Sequence, residues 1–198
     1  MISAEQEITM ILALAASLLI GIQDSATMLP YADSIHKYTL EYPSSWEYSP
    51  QAGAIAFLSP ADNPDDFREY VHLQIQDLTS RPMTLAEYTD MSRREVVQYM
   101  GDSSIIYLHE GKMNGFEARD FFYQAKAGGG ILMVRQQWFM RKNQVYIFTY
   151  AARPEGFEQY LNQAMNIISS FNFTDIPALQ NAKQAPAKES AKNKGRKK

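Results

Sequence analysis

Apolar and polar positions alternate with a period of two where the sequence first becomes readable as structure. In KYTLEY, Tyr38, Leu40 and Tyr42 fall on one face and Thr39 and Glu41 on the other, which predicts a half-buried strand. GAIAFLSP is a short, nearly all-apolar run ending at Ser59-Pro60, as expected of a strand covered on both faces. EYVHLQIQDL alternates again, with Val71, Leu73 and Ile75 inward and His72, Gln74 and Gln76 outward. The period then lengthens. Thr84 to Glu87 has capping-box spacing, with Met83 and Tyr88 placed for a hydrophobic staple. Leu85, Tyr88, Val96 and Tyr99 form an apolar stripe that stops at Gly101.

Four more strands follow. SSIIYLHE and GFEARDFFYQA are separated by Gly111 and Asn114-Gly115, and ILMVRQQWFMRK and QVYIFTYAA meet near Lys142-Asn143. Gly128-Gly129-Gly130 divides the second of these strands from the third; no Gly-Lys-Ser/Thr follows, so it reads as a hairpin turn rather than a phosphate loop. In the last helix Phe157, Tyr160, Leu161, Ala164, Met165 and Ile168 share one face, with Pro154 near the first turn. It runs into SSFNF, whose Phe171 and Phe173 are expected to tuck under the sheet. The order βββ-α-ββββ-α with hairpin-length connections predicts an α+β protein. The expected architecture is an α/β/α sandwich with a central, mostly antiparallel sheet of six to seven strands flanked by helices.

The two ends differ from this body. Ile11 to Ile22 is an apolar run that would rise about 18 Å as a helix, short of a ~30 Å hydrocarbon core but suited to the apolar part of a signal peptide. Residues 1–27 are therefore read as a signal or anchor, with cleavage after Ala26, although Glu5 and Glu7 stand where such segments carry positive charge. From Ile176 onward seven basic residues meet one acid, Glu189, a balance of +6; with the whole chain at −3, the remainder carries −9. Residues 176–198 lack aromatics and read as a disordered basic tail suited to an anionic surface or to no partner at all. An acidic body with a basic tail argues against nucleic-acid binding. The chain of 198 residues has no cysteine, which excludes disulfides, thiolate metal sites and cysteine nucleophiles and fits an exported protein.

Candidate chemistry is sparse. His36, His72 and His109 show no H-x-x-x-H or H-E-x-x-H spacing and read as surface or edge histidines. The loop Asp62 to Phe67 has three carboxylates but not the order of a calcium loop. No G-x-S-x-G elbow or dinucleotide fingerprint occurs. No catalytic residue, metal ligand or cofactor is assigned. The polar rows His72, Gln74, Gln76 and Arg135, Gln137 form the candidate surface for a protein partner, with plain solvation as the alternative.

In their order, the aromatic strand ending in YPSSW, then GAIAFLSP, the V-x-L-x-I strand, a helix, GFEARDFFY, QQWF, VYIFTYAA and a helix running into SSFNF resemble a PsbP-like domain over residues 36–174. PsbP is an extrinsic protein of the oxygen-evolving photosystem, and its superfamily includes exported bacterial proteins and a Ran-binding branch. The resemblance implies a domain at 28–175 with a sheet flanked by helices, working as a non-catalytic accessory module at a membrane or envelope. It makes a divalent metal conceivable without supplying ligands. It also implies that Trp46, just past Pro43, plugs one end of the core. The alternatives are a hydrolase-like enzyme with a dispersed site and an intracellular Ran-binding module.

Overall fold

The computed structural model describes residues 27–176 apart from 52, 62–66 and 128. The apolar N-terminal run, the Asp62–Asp66 stretch and nearly all of the basic tail lie outside the described residues. The elements are β1 (Met28–Asp33), β2 (Tyr38–Pro43), β3 (Glu47–Gln51), β4 (Ala54–Leu58), β5 (Tyr70–Asp77), α1 (Leu85–Met100), β6 (Ile105–Met113), β7 (Phe116–Ala127), β8 (Gly130–Arg141), β9 (Gln144–Ala152), α2 (Phe157–Ser170) and β10 (Asn172–Phe173). The fold is α+β. Seven strands form one sheet in the order β3-β4-β5-β9-β8-β7-β6, and β1-β2-β10 form a second. All pairings are antiparallel.

Strand β9 sits in the middle of the large sheet and has apolar residues on both sides, because both of its faces are covered. Tyr146, Phe148, Tyr150 and Ala152 join the core beneath α2, while Val145 and Ile147 join the core beneath α1. Helix α1 meets the sheet through Leu85, Tyr88, Met91 and Val96. Its start is the predicted capping box: Thr84 Oγ1 accepts from the Glu87 amide and Glu87 accepts from the Thr84 amide. Tyr99, expected in the stripe, is instead 74% exposed, and it is the next residue, Met100, that meets β7, accepting from the Lys126 amide. Helix α2 buries Phe157, Tyr160, Ala164, Ile167 and Ile168.

Two short strands escape the sequence pattern. β1 contains Pro30 and is largely exposed; β3 contains Pro50 and is exposed or half-buried throughout. Both are edge strands, where proline is tolerated and strong alternation is not needed. Their presence changes the place of β2. It leaves the large sheet to β3 and pairs along its length with β1 and at one end with β10. The small sheet lies on the α2 side, where Tyr38, Leu40 and Tyr42 enter the core. Phe171 and Phe173 clamp the two sheets together: Phe171 packs on Tyr38 and Phe148 at 5.1 and 5.2 Å, and Phe173 stands edge-on to Tyr146 at 5.1 Å. From the β6–β7 turn, Asn114 Nδ2 donates to the Phe171 carbonyl.

Trp46 closes the rim beside α2. It is 3% exposed, lies edge-on to Tyr160 at 6.0 Å, and its indole N–H donates to Gln163 Oε1 at 2.6 Å. The turn that delivers it is held by the Trp46 amide donating to the Pro43 carbonyl. Replacing Trp46 by Ala should cost about 3–5 kcal/mol of unfolding free energy. Trp46→Phe, which keeps a ring but loses the N–H bond, should cost about 1–2 kcal/mol. Denaturant titrations check both, and a Trp46→Ala midpoint at the wild-type value would show that the rim does not need the indole.

Candidate functional site

Helix α2 runs over β2, β5 and β9 and leaves the β6–β7–β8 end of the same sheet face open. The gap is a cleft of about 740 Å³. Register sets its lining. Pairing places His109 opposite Asp120, Asp120 opposite Gln137, and Gln137 opposite Phe148, all on the α2 face. Ala118 lies beside them, and Met165, Ile168 and Ser169 of α2 form the facing wall. At Gly111, on the outer strand, an added Cβ would meet nothing within 4 Å, so the rim of the cleft is low there.

Asp120 is the hub. Arg135 Nε and Nη2 donate to its two oxygens at 3.0 and 2.6 Å, a bidentate pair with each side chain about a quarter exposed. Gln137 Nε2 donates at 3.1 Å, and the Tyr107 hydroxyl approaches at 3.5 Å. The Tyr107 ring stacks on His109 at 4.6 Å and 7°. The hydrogen bond from Asp120 raises the Arg135 pKa. Burial, then the Asp120 charge, raises that of Tyr107. The donors converging on it make Asp120 the anchor that holds Arg135 in place. The cleft thus offers fixed hydrogen-bonding groups on one side and apolar methionine and isoleucine surface on the other.

The residues singled out from the sequence do not make one surface. His72, Gln74 and Gln76 lie on the α1 face; Arg135 and Gln137 lie on the α2 face, within the cleft. A strand pattern read alone does not reveal which way the pleat points across the three adjacent strands β5, β9 and β8. Gln76 is taken up by α1, accepting from the Tyr88 hydroxyl at 3.0 Å. Gln74 is exposed, and His72 is half-buried between Ala56 and Thr149. His109 is not at a strand end but in the middle of β6, and His36 sits in the β1–β2 turn, 2.8 Å from Asp33. Asp120, Tyr107 and His109 went unassigned. A signal for them exists: Asp120 is an acid at an apolar-phase position between Ala118 and Phe122, and counting back through the Asn114-Gly115 turn puts His109 opposite it.

Among the described residues no three His, Asp or Glu side chains converge as a metal site. The divalent ion that the resemblance makes conceivable therefore finds no fitting donor set there. No described helix is long and apolar enough to cross a membrane.

Arg135→Ala should destabilise the fold by about 1–2 kcal/mol, because it strips the main partner from a half-buried carboxylate. The loss should shrink in an Asp120→Asn background, and a double-mutant cycle on denaturation midpoints measures the coupling. His72 gives a pH dependence. Burial lowers its pKa below the ordinary imidazole value of about 6.5. The unfolded chain then takes the proton first as pH falls, so stability is full above about pH 6.5 and declines below it. His72→Gln should flatten that decline, as read from midpoints at about pH 7.5 and 5.5.

No protein-family model matches the sequence, and no curated protein matches it either. Solved structures do. Cyanobacterial PsbP from Synechocystis sp. PCC 6803 superposes with a TM-score of 0.56 at 16% identity, covering 78% of this chain and 95% of that one. LpqN of Mycobacterium tuberculosis, described as involved in cell envelope biogenesis, superposes with a TM-score of 0.53 at 12% identity, covering 77% and 94%. At these identities the likeness is one of fold. The chain has a PsbP-like fold.

Proposed function

We propose that the chain is a non-catalytic accessory domain that binds a protein partner at a membrane or envelope, exported or anchored through residues 1–27. The observation that carries the reading is the Asp120 network. Its acid and base are locked on one another by a bidentate pair with further donors around it, an arrangement for presenting a rigid surface rather than moving a proton. The cleft beside it combines an apolar wall with fixed polar groups, the make-up of a recognition surface. The fold shared with an envelope-biogenesis protein supports the location. So do the apolar N-terminal run and the basic tail, whose charges would attract anionic lipid by about 1 kcal/mol each near the surface.

The test is a pull-down from the native cell with the full chain, a chain lacking residues 177–198, and Ser169→Arg. Ser169 is exposed on the cleft wall, so arginine there fills the mouth without touching Asp120. A partner held by the wild type and lost by Ser169→Arg is expected. Undiminished retention by that variant would remove the cleft from the reading. N-terminal sequencing of the mature protein should begin near residue 27 or show membrane retention; an intact Met1 in the cytosol overturns export.

A further inference from the structure

Among the described residues the large sheet has two free edges, β3 and β6. They are not equivalent. β3 spans Glu47–Gln51, carries Pro50, and is braced by an Arg68–Glu47 ion pair, devices that blunt an edge. β6 spans Ile105–Met113 and has no proline; its only irregularity is a register shift near Ile105 and Tyr107. Beyond that point it runs in regular register to the Asn114-Gly115 turn.

The turn fixes which backbone groups β6 leaves unused. Asn114 and Gly115 both have positive φ, 49° and 82°, the type I′ geometry in which the flanking residues, Met113 and Phe116, form a hydrogen-bonded pair. Hydrogen bonding in an antiparallel ladder alternates. Met113, Gly111 and His109 therefore bond inward to β7, and the N–H and C=O groups of Lys112, Glu110 and Leu108 point away from the sheet. Glu110 and Lys112 are exposed and their side chains share the α1 face. Glu110 pairs with Arg119 at 3.0 Å yet is 83% exposed, and Lys112 makes no ion pair among the described residues.

We infer that β6 is a self-association edge, and that a second copy of this chain adds its own β6 antiparallel about a two-fold axis through Gly111. In that register Gly111 faces its symmetry mate, Glu110 faces Lys112 of the other copy, and Lys112 faces Glu110. Both contacts join residues whose backbone groups point outward, so each pair exchanges its N–H···O bonds, and each sets opposite charges side by side. A shift of the axis to Glu110 would instead put two glutamates face to face. Edge charges ordinarily repel an incoming copy, but here their alternation in sign around a glycine makes the strand complementary to itself. Gly111, with open space where a Cβ would stand, keeps the α2 face clear of side chains where the two strands meet. Because the axis stands perpendicular to the joined sheet, both α2 helices lie on the same side. The two clefts then meet across the glycines as one trough.

Sedimentation velocity on the full chain tests this. The wild type should show a reversible monomer–dimer equilibrium. Glu110→Lys and Lys112→Glu should each weaken it about tenfold or more, since each turns two attractive pairs into repulsive ones. An equimolar mixture of the two variants should associate as the wild type does, because the charges match again across the axis. The double exchange Glu110→Lys/Lys112→Glu should restore self-association. Both side chains are exposed, and circular dichroism of each variant verifies the fold. A wild type that stays monomeric at all concentrations, or a dimer indifferent to these exchanges, overturns the proposal while leaving the partner reading untouched.

Discussion

Everything in this molecule is arranged around the need to cover β9 twice. A central strand whose residues are apolar on both sides cannot face water on either, so two layers must be built over it. Helix α1 supplies one. The other needs α2, the small sheet and the returning Phe171 and Phe173 together, because Tyr146, Phe148 and Tyr150 present more aromatic surface than one helix can cover. The second sheet is thus a consequence of the width of the first core.

The cleft follows from the same arrangement. Once α2 and the small sheet are centred on β5 and β9, the β6–β8 end of that face lies beyond their reach. Side chains there change from apolar to polar along a single line: Phe148 gives way to Gln137, then to Asp120, then to His109. Burying a carboxylate and a guanidinium at such a boundary is tolerable because each is the other's partner and water reaches both. The polar cluster marks where the second layer ends, and it is rigid because it borders a packed aromatic core.

The strands and helices that carry a strong period were legible in the sequence: KYTLEY, EYVHLQIQDL, the capping box at Thr84 and the α2 face. The capping box was readable because its geometry is local. β1 and β3 were not readable, since edge strands are under no pressure to alternate, and without them the second sheet around β2 was not visible. The candidate rows fall on opposite faces for a related reason. His72 and Gln137 both look like outward residues when each strand is read alone. Only the pairing of β5 with β9 and of β9 with β8 decides that they point to opposite faces, and that pairing skips three strands and a helix in sequence. The place of Trp46 was expected only through the resemblance; a proline-ended strand followed by an indole does not by itself say where the ring will lie.

The hydrogen bond from Asn114 to the Phe171 carbonyl bears on how this protein would age. Asn-Gly is the dipeptide in which a side-chain amide is most readily hydrolysed to a carboxylate, and here it forms the tip of the β6–β7 hairpin. That change would swap an NH₂ donor for an acceptor oxygen facing a carbonyl. A repulsion would arise at the residue that clamps the two sheets together, so slow chemistry at a surface turn would act directly on the core.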